Sequence, residues 1–206
     1  MSAPATQSNR WGPGADGRRA LVALLLVQLL VGYEWFISGL TKIVRGGFPS
    51  GLAKELTEKS VGAPGWYKGF LDGSVIPNAS AFGYLIEICE LVVGLALIAA
   101  ALLWLLRWER LPDAGRLAVL VTTIVALLAG VFMAANFHLA NGAPHPWLIP
   151  KSGFDEGVDL DSLLPAIQLV LIGFSVGLWR SLRHGAGAER TSHWPRLHWR
   201  HEKEGA

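Results

Sequence analysis

The fold is decided by the stretch Gly32-Tyr33-Glu34-Trp35-Phe36-Ile37-Ser38-Gly39-Leu40-Thr41-Lys42, the second half of an apolar segment that starts near Ala20. It carries a carboxylate, a hydroxyl and an amine at positions 34, 38 and 42. Because these positions are four residues apart, the three groups share one stripe of a helix. A charged group at the centre of a membrane helix costs about 2.5–3.5 kcal/mol even on lenient insertion scales, so it normally faces a protein interior or a water-filled cavity. The stripe is the first candidate site.

The same stripe has a simpler interpretation. Lys42 lies near the end of its segment, and its long side chain could reach the membrane surface while its stem stays in apolar surroundings. Glu34 would then be a structural hydrogen-bonding residue. The sequence leaves both interpretations open.

The composition is that of a membrane protein, since 51% of the 206 residues are hydrophobic and only 17% are charged. Four apolar segments have about the 20 residues that a helix needs to cross a bilayer. They cover residues 20–44, 81–106, 117–139 and 163–182. The predicted fold is therefore an all-α, integral membrane, antiparallel four-helix bundle in contact with membrane lipid. It occupies residues 18–183, between a disordered tail (1–17) and a basic tail (184–206).

The distribution of Lys and Arg predicts the orientation of the bundle. Basic residues are concentrated before the first segment, between the second and third, and after the fourth, whereas the other two loops carry several acidic residues. The positive-inside rule then places both termini in the cytoplasm and two long loops outside a cell membrane. The formal net charge is only +2 and lies mostly at the ends, so we interpret it as topology and expect no nucleic-acid partner.

The two long loops have features of their own. Residues 50–59 are predicted to form a short helix, and the aromatic stretch 65–71 is typical of a membrane interface. The loop 141–161 is long and rich in Pro and aromatic residues, and such loops are more often functional than plain connectors. We expect it to cap the outer mouth of the bundle.

The second segment carries two more carboxylates, Glu87 and Glu90, which are three residues apart and can share a face. Two carboxylates this close in apolar surroundings should not both ionise easily. Such groups serve in proton relays and in hydrogen bonds to quinones. The alternative is that one of them pairs with Lys42 or Lys68 and only fixes helix packing. Gly83 and Gly94 permit a close approach of helices.

The third and fourth segments add further polar groups. Asn136 and His138 lie at the outer end of the third, on different faces, and Gln168 lies two turns into the fourth. His138 is suited to proton transfer near neutral pH, and no spacing supports a metal or haem site. Cys89 is expected to be a small buried apolar residue.

These polar positions share a depth. All of them fall in the outer half of the membrane, and the inner half is predicted to be nearly free of polar side chains. This asymmetry indicates one site near the outer face, lined by Glu34, Trp35, Ser38, Lys42, Glu87, Glu90, Asn136, His138 and Gln168.

Two motifs resemble those of a known family. The first span ends in Ser38-Gly39-Leu40-x-Lys42, and the second carries Glu90-x-x-x-Gly94. A chain with these two motifs and four predicted spans resembles the DoxX/DoxD family. The stretches Gly32-Tyr33-Glu34-Trp35 and Phe48-Pro49-x-Gly51-Leu52 are similar to the DoxD branch. The resemblance implies a membrane subunit of a thiosulfate:quinone oxidoreductase that works with a second subunit or a soluble redox protein.

The resemblance and the polar cluster together favour an oxidoreductase subunit. Lys42 would bind an anion or a quinone oxygen, Glu90 or Glu87 would exchange the proton, and Asn136 and His138 would donate hydrogen bonds.

Two other functions stay open. One is a non-catalytic scaffold or assembly partner of a soluble redox enzyme. The other is a small-solute transporter, against which the polar-free inner half argues. Self-association into a homo-oligomer is also left open.

Overall fold

The computed structural model of the chain describes residues 15–142 and 160–191, and every regular element in these ranges is helical. Four of the helical stretches are long and apolar enough to cross a membrane. For the described residues this confirms the predicted all-α class and four helices long and apolar enough to span a membrane. The six α-helices are α1 (Ala15–Arg45), α2 (Phe48–Lys59), α3 (Gly65–Phe70), α4 (Ala79–Arg107), α5 (Asp113–Ala140) and α6 (Leu160–Thr191).

The helices extend beyond the predicted segments. α1 begins at Ala15, and α6 continues to Thr191, well past the predicted end of the fourth segment at residue 182. The predicted disorder of residues 1–17 is wrong for residues 15–17, which lie in α1. The rest of that tail (1–14), most of the predicted cap (143–159 of 141–161) and most of the basic tail (192–206 of 184–206) lie outside the described residues.

The four long helices form a ring in which consecutive spans are neighbours. α1 packs most extensively on α4, α5 packs on both α4 and α6, and α6 packs lightly on α1. A short connection over residues 108–112 joins α4 to α5 at one end of the bundle, which we call the turn end. α2 and α3 lie in the connection between α1 and α4 at the other end, which we call the α2 end.

Two glycines bring α1 and α4 into backbone contact. A Cβ atom added to Gly39 would lie 2.5 Å from the backbone nitrogen of Leu91, and one added to Gly94 would collide with the backbone of Phe36. No side chain fits at either position without moving a helix. The prediction that Gly94 permits a close helix approach is therefore confirmed, and the same close approach sets the register between α1 and α4.

A second glycine contact places α2 across the end of the bundle. Gly46 and Gly47 have φ angles of 67° and 80°, which favour glycine, and they turn the chain sharply after α1. Pro49 at the start of α2 then packs on Gly83 of α4, where a Cβ would lie 2.5 Å from the Pro49 Cα. The helix begins at Phe48, two residues before the predicted start.

The segment that follows α2 forms a small apolar core with it. α3 runs into a π-helical turn (Leu71–Val75) and a 3₁₀ turn (Ile76–Asn78) before α4 begins. Its buried side chains pack against those of α2, so the aromatic stretch that the sequence placed at the membrane interface is partly internal. The buried members of this core are Leu52, Leu56, Tyr67, Leu71, Val75 and Ala79.

The interior of the bundle repeats every seven residues. A repeat of seven keeps one stripe of a helix facing its neighbours when the helices wind gently around each other. Three layers follow from the α2 end to the turn end. They contain Lys42, Glu90 and Phe137; then Trp35, Leu97, Gly130 and Gln168; then Gln28, Trp104, Thr123 and Ser175.

The contact between α1 and α4 yields a stability prediction. We expect Gly94→Ala to lower the free energy of unfolding by about 1–3 kcal/mol, because the added methyl group overlaps the Phe36 backbone. Gly173→Ala is the matched control, since a Cβ at Gly173 of α6 meets nothing within 4 Å, and we expect a change within about 0.5 kcal/mol. Denaturant titration of the purified protein in detergent measures both, and equal losses would contradict the packing described.

Candidate functional site

The core of the site is an ion pair between α1 and α4. The Lys42 ammonium donates to both carboxylate oxygens of Glu90, with Nζ–Oε1 and Nζ–Oε2 distances of 2.7 and 2.6 Å. It also lies 2.8 Å from the Ser38 hydroxyl, which donates to Glu90 Oε2 at 3.1 Å. The three groups therefore form a closed triangle of short polar contacts. The structure brings together two members of the predicted α1 stripe and one of the two α4 carboxylates.

The pair is buried unequally at its two ends. The Glu90 side chain is 0% exposed, whereas the Lys42 side chain is 23% exposed. Two aromatic rings, Phe48 of α2 and Phe137 of α5, lie with their centroids 5.2 and 5.9 Å from Lys42 Nζ, within cation–π range. A ligand can thus approach the ammonium without entering the bundle, while the carboxylate is reached through the ammonium.

The other two carboxylates of the predicted site do not join the triangle. Glu87 is buried and lies one turn from Glu90, toward the α2 end of the bundle. Glu34 is half-buried and lies one turn from Ser38, toward the turn end. Within residues 15–142 and 160–191, neither makes a hydrogen bond or an ion pair. Lys68, the alternative partner for an α4 carboxylate, instead forms an ion pair with Asp72 at 3.3 Å. Glu90 is therefore the carboxylate that pairs with Lys42.

The α5 residues divide between two environments. The Tyr67 hydroxyl of α3 lies 3.1 Å from both the side-chain and the backbone oxygen of Asn136, and the Asn136 amide donates to the Phe132 carbonyl. Asn136 is thus engaged with α3 rather than with Lys42 or Glu90. His138 is buried, with 5% of its surface exposed.

The middle layer holds polar atoms that lack partners. Trp35 Nε1 and both polar atoms of the Gln168 carboxamide are buried and form no hydrogen bond with any described residue. They converge on Gly130, where a Cβ would lie 3.0 Å from Trp35 Nε1 and would collide with Gln168 Nε2. An unsatisfied buried donor or acceptor costs about 1–3 kcal/mol. A hydrogen bond formed to any of these atoms would therefore stabilise this layer.

The layer at the turn end contradicts one prediction. Three polar side chains, Gln28, Thr123 and Ser175, are buried there on three different helices. They line a cavity of about 10 Å³, close to the smallest space that holds one water molecule. The prediction that this half of the bundle is nearly free of polar side chains is therefore wrong. The signal was the seven-residue spacing that relates Gln28 to Trp35 and Lys42.

No family model, no curated protein and no solved structure matches this chain.

The unequal burial of the ion pair predicts unequal costs of breaking it. Lys42→Met leaves a buried carboxylate without its partner, and we expect a loss of about 3–5 kcal/mol in unfolding free energy. Glu90→Gln leaves an ammonium that can turn toward water, and we expect a smaller loss of about 1–3 kcal/mol.

Lys54→Met is the matched control, because Lys54 and its partner Glu58 lie 3.9 Å apart on the surface. We expect a change within about 0.5 kcal/mol. Denaturant titration at neutral pH measures all three variants. A larger loss in Glu90→Gln than in Lys42→Met would contradict the geometry of the pair.

Proposed function

We propose that the chain is the membrane subunit of a quinone-linked oxidoreductase and that the Lys42–Glu90 pair is its working site. The observation that carries this proposal is the pairing of a fully buried carboxylate with a partly exposed ammonium inside a four-helix membrane bundle. Reduction of a quinone requires two electrons and two protons, and a group that exchanges protons inside a membrane is the part that the protein must supply.

Each member of the triangle has a role in this chemistry. The Lys42 ammonium binds a quinone oxygen or an anion on its exposed side and stabilises negative charge that develops there. Glu90 exchanges a proton with the bound ligand through the contacts it now makes with Lys42 and Ser38. The rings of Phe48 and Phe137 supply apolar faces for a flat ligand beside the ammonium.

The electrons come from outside this chain. The motif resemblance supports a reduced sulfur compound such as thiosulfate as the donor, delivered through a second subunit or a soluble redox protein.

We place the α2 end outside the cytoplasm, because basic residues are concentrated toward the turn end of the bundle. These include Arg107, Arg110, Arg116, Arg180 and Arg183. The site then opens on the side from which an external reductant arrives.

A second function is supported by a different observation. Both oxygens of Glu90 already accept hydrogen bonds, from Lys42 and Ser38, so the pair is complete without a ligand. A complete pair of this kind also suits a non-catalytic membrane scaffold that holds a soluble redox enzyme. The exposed charged face of α2, with the pairs Lys54–Glu58 and Lys59–Glu55, would then be the docking surface.

Quinone reduction by the purified protein tests the proposal. With thiosulfate as the donor and the partner subunit supplied, we expect turnover in the wild type. We expect a loss of about 100-fold or more in Lys42→Met, which removes the ammonium that stabilises charge on the ligand, and in Glu90→Gln, which removes the group that exchanges the proton. Lys54→Met, the same substitution on the surface, should retain activity.

Two outcomes would favour the scaffold. One is the absence of turnover in the wild type, even when other reduced sulfur donors and the co-purified partner are supplied. The other is unchanged turnover in folded Lys42→Met and Glu90→Gln proteins.

The proposed orientation has its own test. In a Cys89→Ala background, a cysteine at Lys54 of α2 should react with a membrane-impermeant maleimide added outside intact cells. A cysteine at Arg110 in the turn should react only after the membrane is opened. The reverse pattern would contradict the orientation and place the site on the cytoplasmic side.

A further inference from the structure

Polar groups follow the axis of the bundle over two seven-residue repeats, from Lys42 to Gln28, and an apolar cluster lies between Gln28 and the turn end. Lys42 and Glu90 lie in the first layer, Trp35 and Gln168 in the second, and Gln28 with two hydroxyl groups in the third. Each layer is one seven-residue repeat from the next, which is about 10 Å along a helix. The polar groups therefore do not form a single site at one end of the bundle. They mark a line that connects the two halves.

The third layer has room and hydrogen-bond acceptors for one water molecule. Gln28 donates to the Leu97 carbonyl at 3.0 Å, and the Thr123 and Ser175 hydroxyl groups donate to carbonyls of their own helices at 2.9 and 2.8 Å. These bonds use the hydroxyl hydrogens and leave both hydroxyl oxygens as acceptors. All three side chains line the cavity of about 10 Å³, so a water molecule there has several polar partners.

The second layer places an amide without a hydrogen-bond partner among the described residues between the cavity and the ion pair. Gln168 is one repeat from Ser175 on α6, and its carboxamide rests in the notch left by Gly130 beside Trp35 Nε1. Because the carboxamide forms no hydrogen bond with the described residues, no such bond holds it in one orientation. The side chain is fully buried, so a rotation of the carboxamide has to displace its packed neighbours but breaks no hydrogen bond to a described residue.

We propose that this axis is a proton path between the turn end of the bundle and Glu90. A water in the third layer gives up one O–H proton and regains one from the turn-end side, and the proton passes through water that enters the second layer to form an O–H bond on the Glu90 carboxylate. The pair then carries one extra positive charge. Loss of a proton from Lys42 to its exposed side, followed by transfer of the Glu90 proton to Lys42, restores the ion pair. This function is independent of quinone chemistry.

The packing of the second layer limits what can pass. Leu97 and Leu127 are fully buried, which leaves the axis closed between the water cavity and the ion pair at rest. A proton can cross when Gln168 moves and water briefly enters, whereas a sodium or potassium ion would have to shed its hydration shell in apolar surroundings. The path is therefore slow and specific for protons.

Reconstitution into liposomes tests the path without any electron donor or quinone. A potassium diffusion potential set with valinomycin drives protons inward, and a trapped pH-sensitive dye reports their arrival. We expect the wild type to take up protons faster than protein-free liposomes and to take up no sodium. Thr123→Val keeps the shape of the side chain and removes the hydroxyl group, and we expect it to reduce proton uptake to the protein-free rate.

Thr122→Val is the matched control, because Thr122 is the next residue on the same helix and is exposed. It should conduct like the wild type. Ser175→Ala provides a second test on α6 and is used in place of Thr123→Val if that variant fails to fold. Uptake by the wild type at the protein-free rate would overturn the proposal. Equal uptake by the Thr122 and Thr123 variants, or by Ser175→Ala and the wild type, would overturn it as well.

Discussion

The burial of the Glu90 carboxylate inside an apolar bundle is the constraint on which the rest of the structure depends. The effective cost of removing one such ion from water is several kcal/mol, and it is offset only when a partner charge and good hydrogen bonds are held in place. Lys42 and Ser38 meet this need because α1 and α4 touch through Gly39 and Gly94. The close packing at the two glycines is therefore what brings the compensating groups of α1 to the Glu90 carboxylate.

Much of this arrangement could be predicted from the sequence. Four apolar segments of bilayer length determine a helical membrane bundle, and a spacing of four residues places Ser38 and Lys42 on one stripe. The choice between Glu87 and Glu90 could not be predicted. It depends on the register between α1 and α4, which is set by backbone contacts at glycines far apart in the chain. A shift of one turn would have presented Glu87 to Lys42 instead.

The polar layer at the turn end was missed for a different reason. Each of the three polar side chains of this layer is uncharged and lies in a long apolar segment, so none of them belongs to a charged cluster in the sequence. They are Gln28, Thr123 and Ser175. They become a cluster only when four helices are aligned at seven-residue intervals. The sequence feature that marks the layer is the seven-residue spacing within each segment, not the net polarity of each half.

The Lys42–Glu90 pair combines a structural contact with an accessible charge. The ion pair is complete enough to hold α1 against α4, yet the Lys42 end remains open to a ligand. In a site of this kind, a contact between Lys42 and Glu90 can break when a ligand or a proton arrives and form again after it leaves. A ligand can reach the pair from the partly exposed Lys42 ammonium, and a proton can reach it from the polar axis behind Glu90.

The central claim is that the Glu90 carboxylate changes its protonation during function rather than serving as a fixed structural charge. Infrared difference spectroscopy of the reconstituted protein, recorded as bound quinone is reduced electrochemically, tests it most directly. The account predicts a change in the carboxyl C=O stretching region that is lost in Glu90→Gln and kept in Glu58→Gln. A difference spectrum with no carboxyl change, or with the same change in Glu90→Gln, would contradict it.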